Sequence, residues 1–555
     1  MCRKTPSESK ARENSFNTSF ILNVKETKYI FVTGGVVSSL GKGITAASLG
    51  RLLQARGFKV TNQKLDPYIN VDPGTLNPYE HGECYVTTDG YESDLDLGHY
   101  ERFLNIETTR HNNLTTGRVY QSVINKERRG DYLGKTVQII PHITDEIKTN
   151  IKALGKTGEY DFVITEIGGV VGDIESLPFI EAVRQLKYEL GKNSLFIHLT
   201  YVPFIAAAKE LKTKPTQHSV KTLQQEGIQP DVIVLRTEHP ITDGVKRKVS
   251  QFCNVSEDAV IESMDCSSIY QCPVKMQEEG LDQVVLQKFG FTDYPEADMK
   301  EWNAFLSKME KAQQKVRIAL VGKYVQLQDA YKSISESLIH ACTYNDRKLD
   351  LVYVSSEELT NENVTEQLDG IEGIIVAPGF GSRGIEGKFV ALRYARENNV
   401  PCLGICLGMQ CMAIEFARNV LGFSDANSTE IDPTTRHNIV DIMEEQKNVL
   451  NLGGSMRLGA YACKLKEDTL ARRIYGADMV KERHRHRFEF NSDYRDQFEK
   501  AGMLCSGENP DTGLVEIIEL PDKKFFLGTQ FHPEYNSTVL RPNPLFLAFI
   551  KTIIS

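Results

Sequence analysis

Three side chains at two distant places in the chain have the chemistry to open an amide: the thiol of Cys406 and the pair His532 and Glu534. Cys406 lies in Gly404-Ile405-Cys406-Leu407-Gly408, after an apolar run at 400–403 that reads as a buried strand and before a helical pattern at 409–417. A G-x-C-x-G between strand and helix is the thiol form of a nucleophile elbow. Small flanking residues allow the sharp turn, and the partial positive charge of the following helix terminus favours thiolate. Downstream, the strand-like stretch 526–531 leads into His532-Pro533-Glu534. A thiol, an imidazole and an orienting carboxylate form the set that attacks an amide carbonyl. The plain alternative for Cys406 is a buried structural thiol; the elbow flanks and the His-x-Glu pair weigh against it.

A second chemistry is written near the other end. Gly34-Gly35-Val36-Val37-Ser38-Ser39-Leu40-Gly41-Lys42-Gly43-Ile44 separates a strand at 29–33 from a helix-forming stretch at 46–53. Such a turn aims backbone N–H groups at a phosphate, and Lys42 adds charge. It departs from the standard P-loop because Gly43 stands where a metal-binding Ser or Thr is expected. Metal ligands must then come from elsewhere. Glu166 follows the apolar strand 162–165, and Asp96 sits in the acid-dense stretch 94–99, read as a loop. Together they suit a magnesium site that keeps waters and takes nucleotide oxygens. Lys212-Thr213-Lys214-Pro215-Thr216-Gln217 is a second concentration of phosphate donors. Two such places in one domain imply two nucleotides, a phosphoryl donor and an acceptor.

Both chemistries need α/β scaffolds, because strands alternate with helical patterns from residue 29 to about 290 and again from 316 onward. The division expected is an N-terminal extension at 1–27, a P-loop-like parallel-sheet domain at 28–290, a connecting helix around Trp302, Phe305 and Met309 within 291–314, and a second α/β domain at 315–555. The 555 residues carry a net charge of −9, which argues against general nucleic-acid binding. No apolar run approaches the ~20 residues that cross a bilayer, and the first 27 residues lack the apolar core of a secretory signal. Eleven cysteines without paired CxxC spacing fit reduced thiols in a cytoplasmic enzyme. The run Arg483-His484-Arg485-His486-Arg487 reads, from charge alone, as a solvated basic face.

The blocks GGVVSSLGKGI, KLDPYINVDPGTLNPYEHGE, DLDLGHYERF, GGVVGDIESLPF, KTKPTQHSVK, LGICLGMQ, RHRHRF and QFHPE occur in the order found in the CTP synthase family. The chain resembles that family from end to end, apart from about the first 25 residues. The resemblance implies phosphorylation of the UTP 4-oxygen by ATP, then displacement by ammonia released from glutamine in a class I glutamine amidotransferase domain. It implies that Ser39, Leu40, Gly41, Lys42, Gly43 and Ile44 hold ATP, with Met264, Asp265 and Cys266, and that Asp96 and Glu166 bind magnesium. Ser38, Lys212, Thr213, Lys214, Pro215, Thr216, Gln217 and Lys248 would hold UTP phosphates and overlap the inhibitory CTP site, where Asp173, Ile174 and Glu175 would sense the base. Lys64 would support the phosphorylated intermediate, and His81 would gate an ammonia passage.

In the second domain it implies Cys406 as nucleophile, His532 as base and acid, and Glu534 as orienter. Gly379 and Leu407 would supply the oxyanion hole. These two with Gly408, Met409, Gln410, Glu430 and Arg487 would make up the glutamine site. The chain carries one glycine, Gly379, after Pro378 where many members carry two, and Arg383 with 384–387 resembles the lid linked to activation by GTP. A homotetramer, with polymerisation as an addition, is also implied. Two alternatives stay open at this point: amidation of a carboxylate by a related synthase, and a nucleotide-responsive polymer without turnover. The KTKPTQ block and Lys248 argue against the first, and the intact set Cys406, His532, Glu534, Lys42, Asp96 and Glu166 against the second.

Overall fold

A computed structural model of the chain describes residues 26–443, 446 and 453–555. The expected extension at 1–27 therefore lies outside the described residues, save its last two.

The first sheet has seven strands, all parallel. They are β1 (Lys28–Gly34), β2 (Val60–Asp66), β3 (Asn113–Thr115), β4 (Phe162–Ile167), β5 (Ser194–Tyr201), β6 (Val232–Thr237) and β7 (Val260–Met264), in the spatial order β7-β6-β5-β1-β4-β2-β3. β1, β4 and β5 are buried almost throughout, as strands covered on both faces must be, which is why they read as unbroken apolar runs. Helix α1 (Lys42–Ala55) follows β1, and α2 (Asp96–Leu104), α3 (Lys214–Gln225) and α4 (Cys272–Glu278) complete the framework of the phosphate end. Ligands of open parallel sheets lie at the carboxyl ends of the strands, where the order reverses. Here that place is the end of β1, between β4 and β5.

Helix α5 (Lys300–Lys311) leads to the second sheet and buries Trp302, Phe305 and Leu306. Trp302 packs against Phe103 of α2 and donates its indole N–H to the Tyr270 carbonyl at 2.8 Å, so this connection is packed rather than loose. The nine-stranded second sheet comprises β8 (Lys315–Gly322), β9 (Lys348–Ser355), β10 (Gly373–Val376), β11 (Cys402–Ile405), β12 (Arg457–Leu465), β13 (Met479–His486), β14 (Leu504–Glu508), β15 (Val515–Glu519) and β16 (Phe526–Thr529). Its order is β9-β8-β10-β11-β16-β15-β14-β12-β13, parallel as far as β16 and antiparallel beyond. Helices α6 (Lys332–Tyr344), α7 (Ile385–Glu397) and α8 (Leu407–Asn419) pack on it.

The two halves meet through polar contacts that are themselves buried. Arg483, 1 % exposed, donates to Glu101 of α2 at 2.5 Å and to the Val86 carbonyl at 2.9 Å. Arg485 pairs with Glu92 at 2.8 Å. The expected solvated basic face is therefore corrected: 483–486 belongs to β13, and its arginines satisfy acids of the other half. Pairing with acids far away in sequence, invisible to a charge count, decides this.

Candidate functional site

At the thiol centre β11 ends at Ile405, and Cys406 takes φ 52° and ψ −105° before α8 begins. A side chain at Gly404 would come within 2.8 Å of the Gly408 backbone, and one at Gly408 would collide with the Val376 carbonyl. The G-x-C-x-G pattern is thus a packing demand, since the elbow is pressed against β10. The amide of Cys406 donates to Thr529 O at 2.7 Å, tying the elbow to β16. Just past β16, His532 donates from Nδ1 to Glu534 Oε1 at 2.7 Å, and its ring stacks on Tyr535 with 5.0 Å between centroids. His532 Nε2 is buried with no hydrogen-bond partner of its own. Burial opposes a charge on this ring, but Glu534 and the neighbouring Cys406 outweigh it and raise His532 to about 10.

Gln530, which sequence reasoning passes over, donates to Cys406 Sγ at 3.6 Å and accepts from Gln410 Nε2 at 3.2 Å. Its signal is its place in Gln530-Phe531-His532, two residues before the histidine. Gln410 also donates to the Phe488 carbonyl at 2.7 Å. Gly379, between Pro378 and Phe380, lines the cavity that holds Cys406, whereas Glu430, Gln410 and Arg487 lie outside its lining. Glu430 accepts from the Gly381 amide at 2.7 Å, and Arg487 donates to Gln446 at 2.8 Å and Ser455 at 2.9 Å. Leu407, Gly408 and Met409 form the first turn of α8, and Met409 packs directly against Gly528 of β16. Arg383 pairs with Glu357 and lies over the Tyr324 ring at 5.3 Å.

At the phosphate end, Gly41 takes φ 88° and caps α1, and Ser39 takes φ 59°. Ser38 and Ser39 are exposed, while Lys42 is buried and donates to the Gly169 carbonyl at 2.7 Å. Burial lowers the pKa of Lys42 against the pull of Glu166. Asp96 is the first residue of α2, not part of a loop as expected. A side chain at Gly43 would collide with the Asp96 carboxylate and crowd Glu166, at 3.3 Å from its Oε2. The missing hydroxyl at position 43 thus has a cause: carboxylates occupy its space. Lys64, paired across the sheet with Glu166, donates to Asp96 and to Glu166 at 3.0 Å. Burial opposes its charge, yet Asp96 and Glu166 hold its pKa well above the ordinary lysine value. Tyr100 donates to the other oxygen of Glu166. Asp66, raised to about 6 mainly by burial, and Asp94, also raised by burial, complete the group.

Helix α3, which begins within the 212–217 segment, meets this loop through Ser219: a side chain at Gly35 would collide with Ser219 Oγ, which itself bonds His198 at 2.8 Å. Lys212 and Thr213 precede α3; Lys214 is exposed, Pro215 sits in the first turn, and Thr216 and Gln217 are buried. Lys248 is exposed and acts on Glu210, the partner of Lys212. Asp173 acts on Lys42, Ile174 is 81 % exposed, and Glu175 follows in the same turn. Met264 and Cys266 line a pocket of about 80 Å³ with Gly41 and Ile44, and Asp265 pairs with Arg236 at 2.6 Å. Arg236 also donates to the Leu40 carbonyl at 3.2 Å.

Between the two centres lies a cavity of about 160 Å³. Cys406, His532 and Gly379 line one part of it; His81, Glu83 and Asp94 of the first half line another.

Residues 28–291 match the CTP synthase N-terminus family, and residues 326–552 match the class-I glutamine amidotransferase family. A CTP synthase of Bacteroides fragilis is 66 % identical over 529 residues, covering 95 % of this chain and 99 % of the relative. One from Porphyromonas gingivalis is also 66 % identical, covering 95 % and 98 %. One from Flavobacterium johnsoniae is 60 % identical, covering 96 % and 99 %. The chain belongs to the CTP synthase family and is an enzyme of its reaction, the ATP-dependent conversion of UTP to CTP with glutamine as the nitrogen source.

Proposed function

We propose that the chain divides this reaction between residues 28–290 and 315–555, with 291–314 as connector, and that the cavity joining Cys406 to His81 and Asp94 carries ammonia from one to the other. That shared cavity is the observation that carries the reading. Cys406 attacks the glutamine amide, and His532 passes its proton to the departing ammonia; Glu534 keeps the imidazole oriented and charged until then. The amides of Gly379 and Leu407 receive the developing oxyanion, while Gln410, Glu430 and Arg487 position the substrate. Ammonia leaves as a neutral molecule, which an apolar passage accepts far more cheaply than an ion.

At the other end Ser39–Ile44 and Met264–Cys266 hold ATP, and Ser38, Lys212–Gln217 and Lys248 hold UTP. Lys42 and Lys64 steady the charge that moves with the phosphoryl group. Asp96 and Glu166 fit a magnesium ion: both are hard oxygen donors, and they converge over Gly43, whose missing side chain leaves them room. Among the described residues no group of three or more His, Cys, Asp or Glu could hold a metal unaided, so nucleotide oxygens and water would complete its shell. The ion, when bound, screens phosphate charge.

Activation by GTP is placed at Arg383 and its neighbours, and inhibition by CTP at Asp173–Glu175 beside the UTP residues. A homotetramer is proposed with the family. No helix of the described residues is long and apolar enough to cross a membrane, and a cytoplasmic place is proposed with that.

The test follows CTP formation from UTP, ATP and magnesium with glutamine or ammonium chloride, in wild type and Cys406→Ala. CTP from both sources in the wild type, and from ammonia alone in the variant, is expected. Loss of both routes in Cys406→Ala would overturn the division of labour.

A further inference from the structure

A lysine is sealed in the core of the second half, where neither the thiol chemistry nor phosphoryl transfer calls for one. Lys388 lies in the first turn of α7, fully buried, and its Nζ donates to the Ala377 carbonyl at 2.5 Å. Keeping an amine out of water is costly, and here one backbone oxygen receives it. Ala377 follows β10 and leads into Pro378-Gly379-Phe380, the stretch that lines the cavity with Cys406. A side chain at Gly379 would lie 3.6 Å from that of Leu407, so the two residues read as oxyanion donors are neighbours.

The backbone of this stretch explains why a carbonyl is gripped. Residue 378 is proline, so the Ala377–Pro378 peptide has no N–H, and the carbonyl is its one polar handle. Lys388 takes that handle. Beyond Gly379 the Phe380–Gly381 peptide is held at both ends: Lys323 donates to the Phe380 carbonyl, and the Gly381 amide donates to Glu430 at 2.7 Å. The peptides on either side of Gly379 are therefore anchored, one of them through Lys388. The base of that anchor is firm, because Gly384 opens α7 at φ 72° and a side chain at Gly387 would collide with the Ser356 carbonyl.

We propose that Lys388 is a positioning residue for glutamine hydrolysis: by fixing the Ala377 carbonyl it keeps the Gly379 amide in place for the oxyanion. This rests on the reading of Gly379 as an oxyanion donor. Lys388 touches no reacting atom and acts through the peptide it holds. A donor displaced by about 1 Å forfeits much of its effect, so a bond two residues away has leverage on the rate. Burial lowers the Lys388 pKa to about 8, against the pull of Cys411 and Cys406. Charged or neutral, the amine keeps an N–H for the carbonyl.

The test makes Lys388→Met in the full chain, a change that fills the same buried space and donates nothing. Glutamine hydrolysis is measured with UTP, ATP and magnesium present, and with a competing aldehyde in which CHO replaces the carboxamide of glutamine. The aldehyde forms a hemithioacetal on Cys406: the S–C bond forms, the C=O π pair moves to oxygen, and the thiol proton goes to that oxygen or to His532. Its oxygen stands where the oxyanion stands. Expected in Lys388→Met are a kcat for glutamine lowered about 10–100-fold with KM within about twofold, and an aldehyde Ki raised by the factor that kcat/KM loses. CTP formation from ammonia and alkylation of Cys406 by iodoacetamide should match the wild type. Loss of either would overturn the proposal, since Lys388 would then serve the fold at large. So would an unchanged kcat, or a lowered kcat with the aldehyde bound as tightly as before. The Gly379 reading is tested in the wild type: an aldehyde bound no more tightly than glutamine would remove that reading, and the proposal with it. Tight binding that is the same in both proteins would remove the role of Lys388 alone.

Discussion

His532 pairs with Glu534 beside Cys406 inside the protein, whereas at the phosphate end four carboxyl groups, Asp66, Asp94, Asp96 and Glu166, surround Lys64 with Lys42 nearby. In the first centre the His532–Glu534 pair is already formed beside Cys406, with His532 Nε2 left buried and unpartnered. In the second, acids outnumber ammonium groups and burial raises several of them, the condition of a site built to receive cationic and phosphate charge. One centre needs only a neutral substrate. The other needs ligands to finish its electrostatics.

That contrast is broken most strongly by removing the one covalent atom. Cys406→Ala should lower glutamine-dependent CTP formation by about 10⁴-fold or more, with the ammonia route unchanged, measured as initial rates with each nitrogen source. The seam comes next. Arg483→Met leaves Glu101 buried without its cation, which should cost about 3–5 kcal/mol of stability in denaturant unfolding. An unchanged midpoint would mean that the pair is not closed in solution. Gly43→Ser then puts atoms where Asp96 stands, and should lower kcat/KM with both nitrogen sources about 10²-fold. Glutaminase turnover measured alone should be spared, because the elbow lies in the other sheet.

Much of this is legible in the sequence because local chemistry forces it. The elbow glycines are fixed by close contacts, Gly404 with the first turns of α8 and Gly408 with β10, so the pair announces the turn. Gly41 announces a left-handed backbone in the same way. What depends on pairing across the sheets stays hidden. The meeting of Lys64 with Glu166 is a register fact between β2 and β4. The burial of Arg483 follows from an acid 382 positions away, which no charge count near residue 483 contains. Gln530 sits in the QFHPE block, but only the return of β16 beside β11 brings its amide to the sulfur. Asp96 reads as loop because its acid-rich surroundings mask a helix start, where acids are favoured.

The smallest effect concerns the cavity that separates the centres. Glu83 lines it and accepts from the Ser333 amide at 2.9 Å, joining the halves. Burial, the largest influence, raises its pKa to about 7, while Arg102 and the Ser333 bonds pull the other way. An unfolded glutamate titrates near ~4.3. Between these values the folded chain binds the extra proton, so stability falls as pH rises through the window and levels off above about 7. Glu83→Gln keeps an acceptor for Ser333 but has no proton to lose. Its stability should therefore drop less than that of the wild type between about pH 4.3 and 7, by on the order of 1 kcal/mol. Parallel stability curves for the two proteins would show that Glu83 titrates normally, and the passage would then hold a fixed negative charge able to retain ammonium. A shallower curve for the variant would mean that the carboxyl between the two centres is largely neutral over most of that range. A neutral carboxyl there fits the proposed passage of neutral ammonia between the two centres.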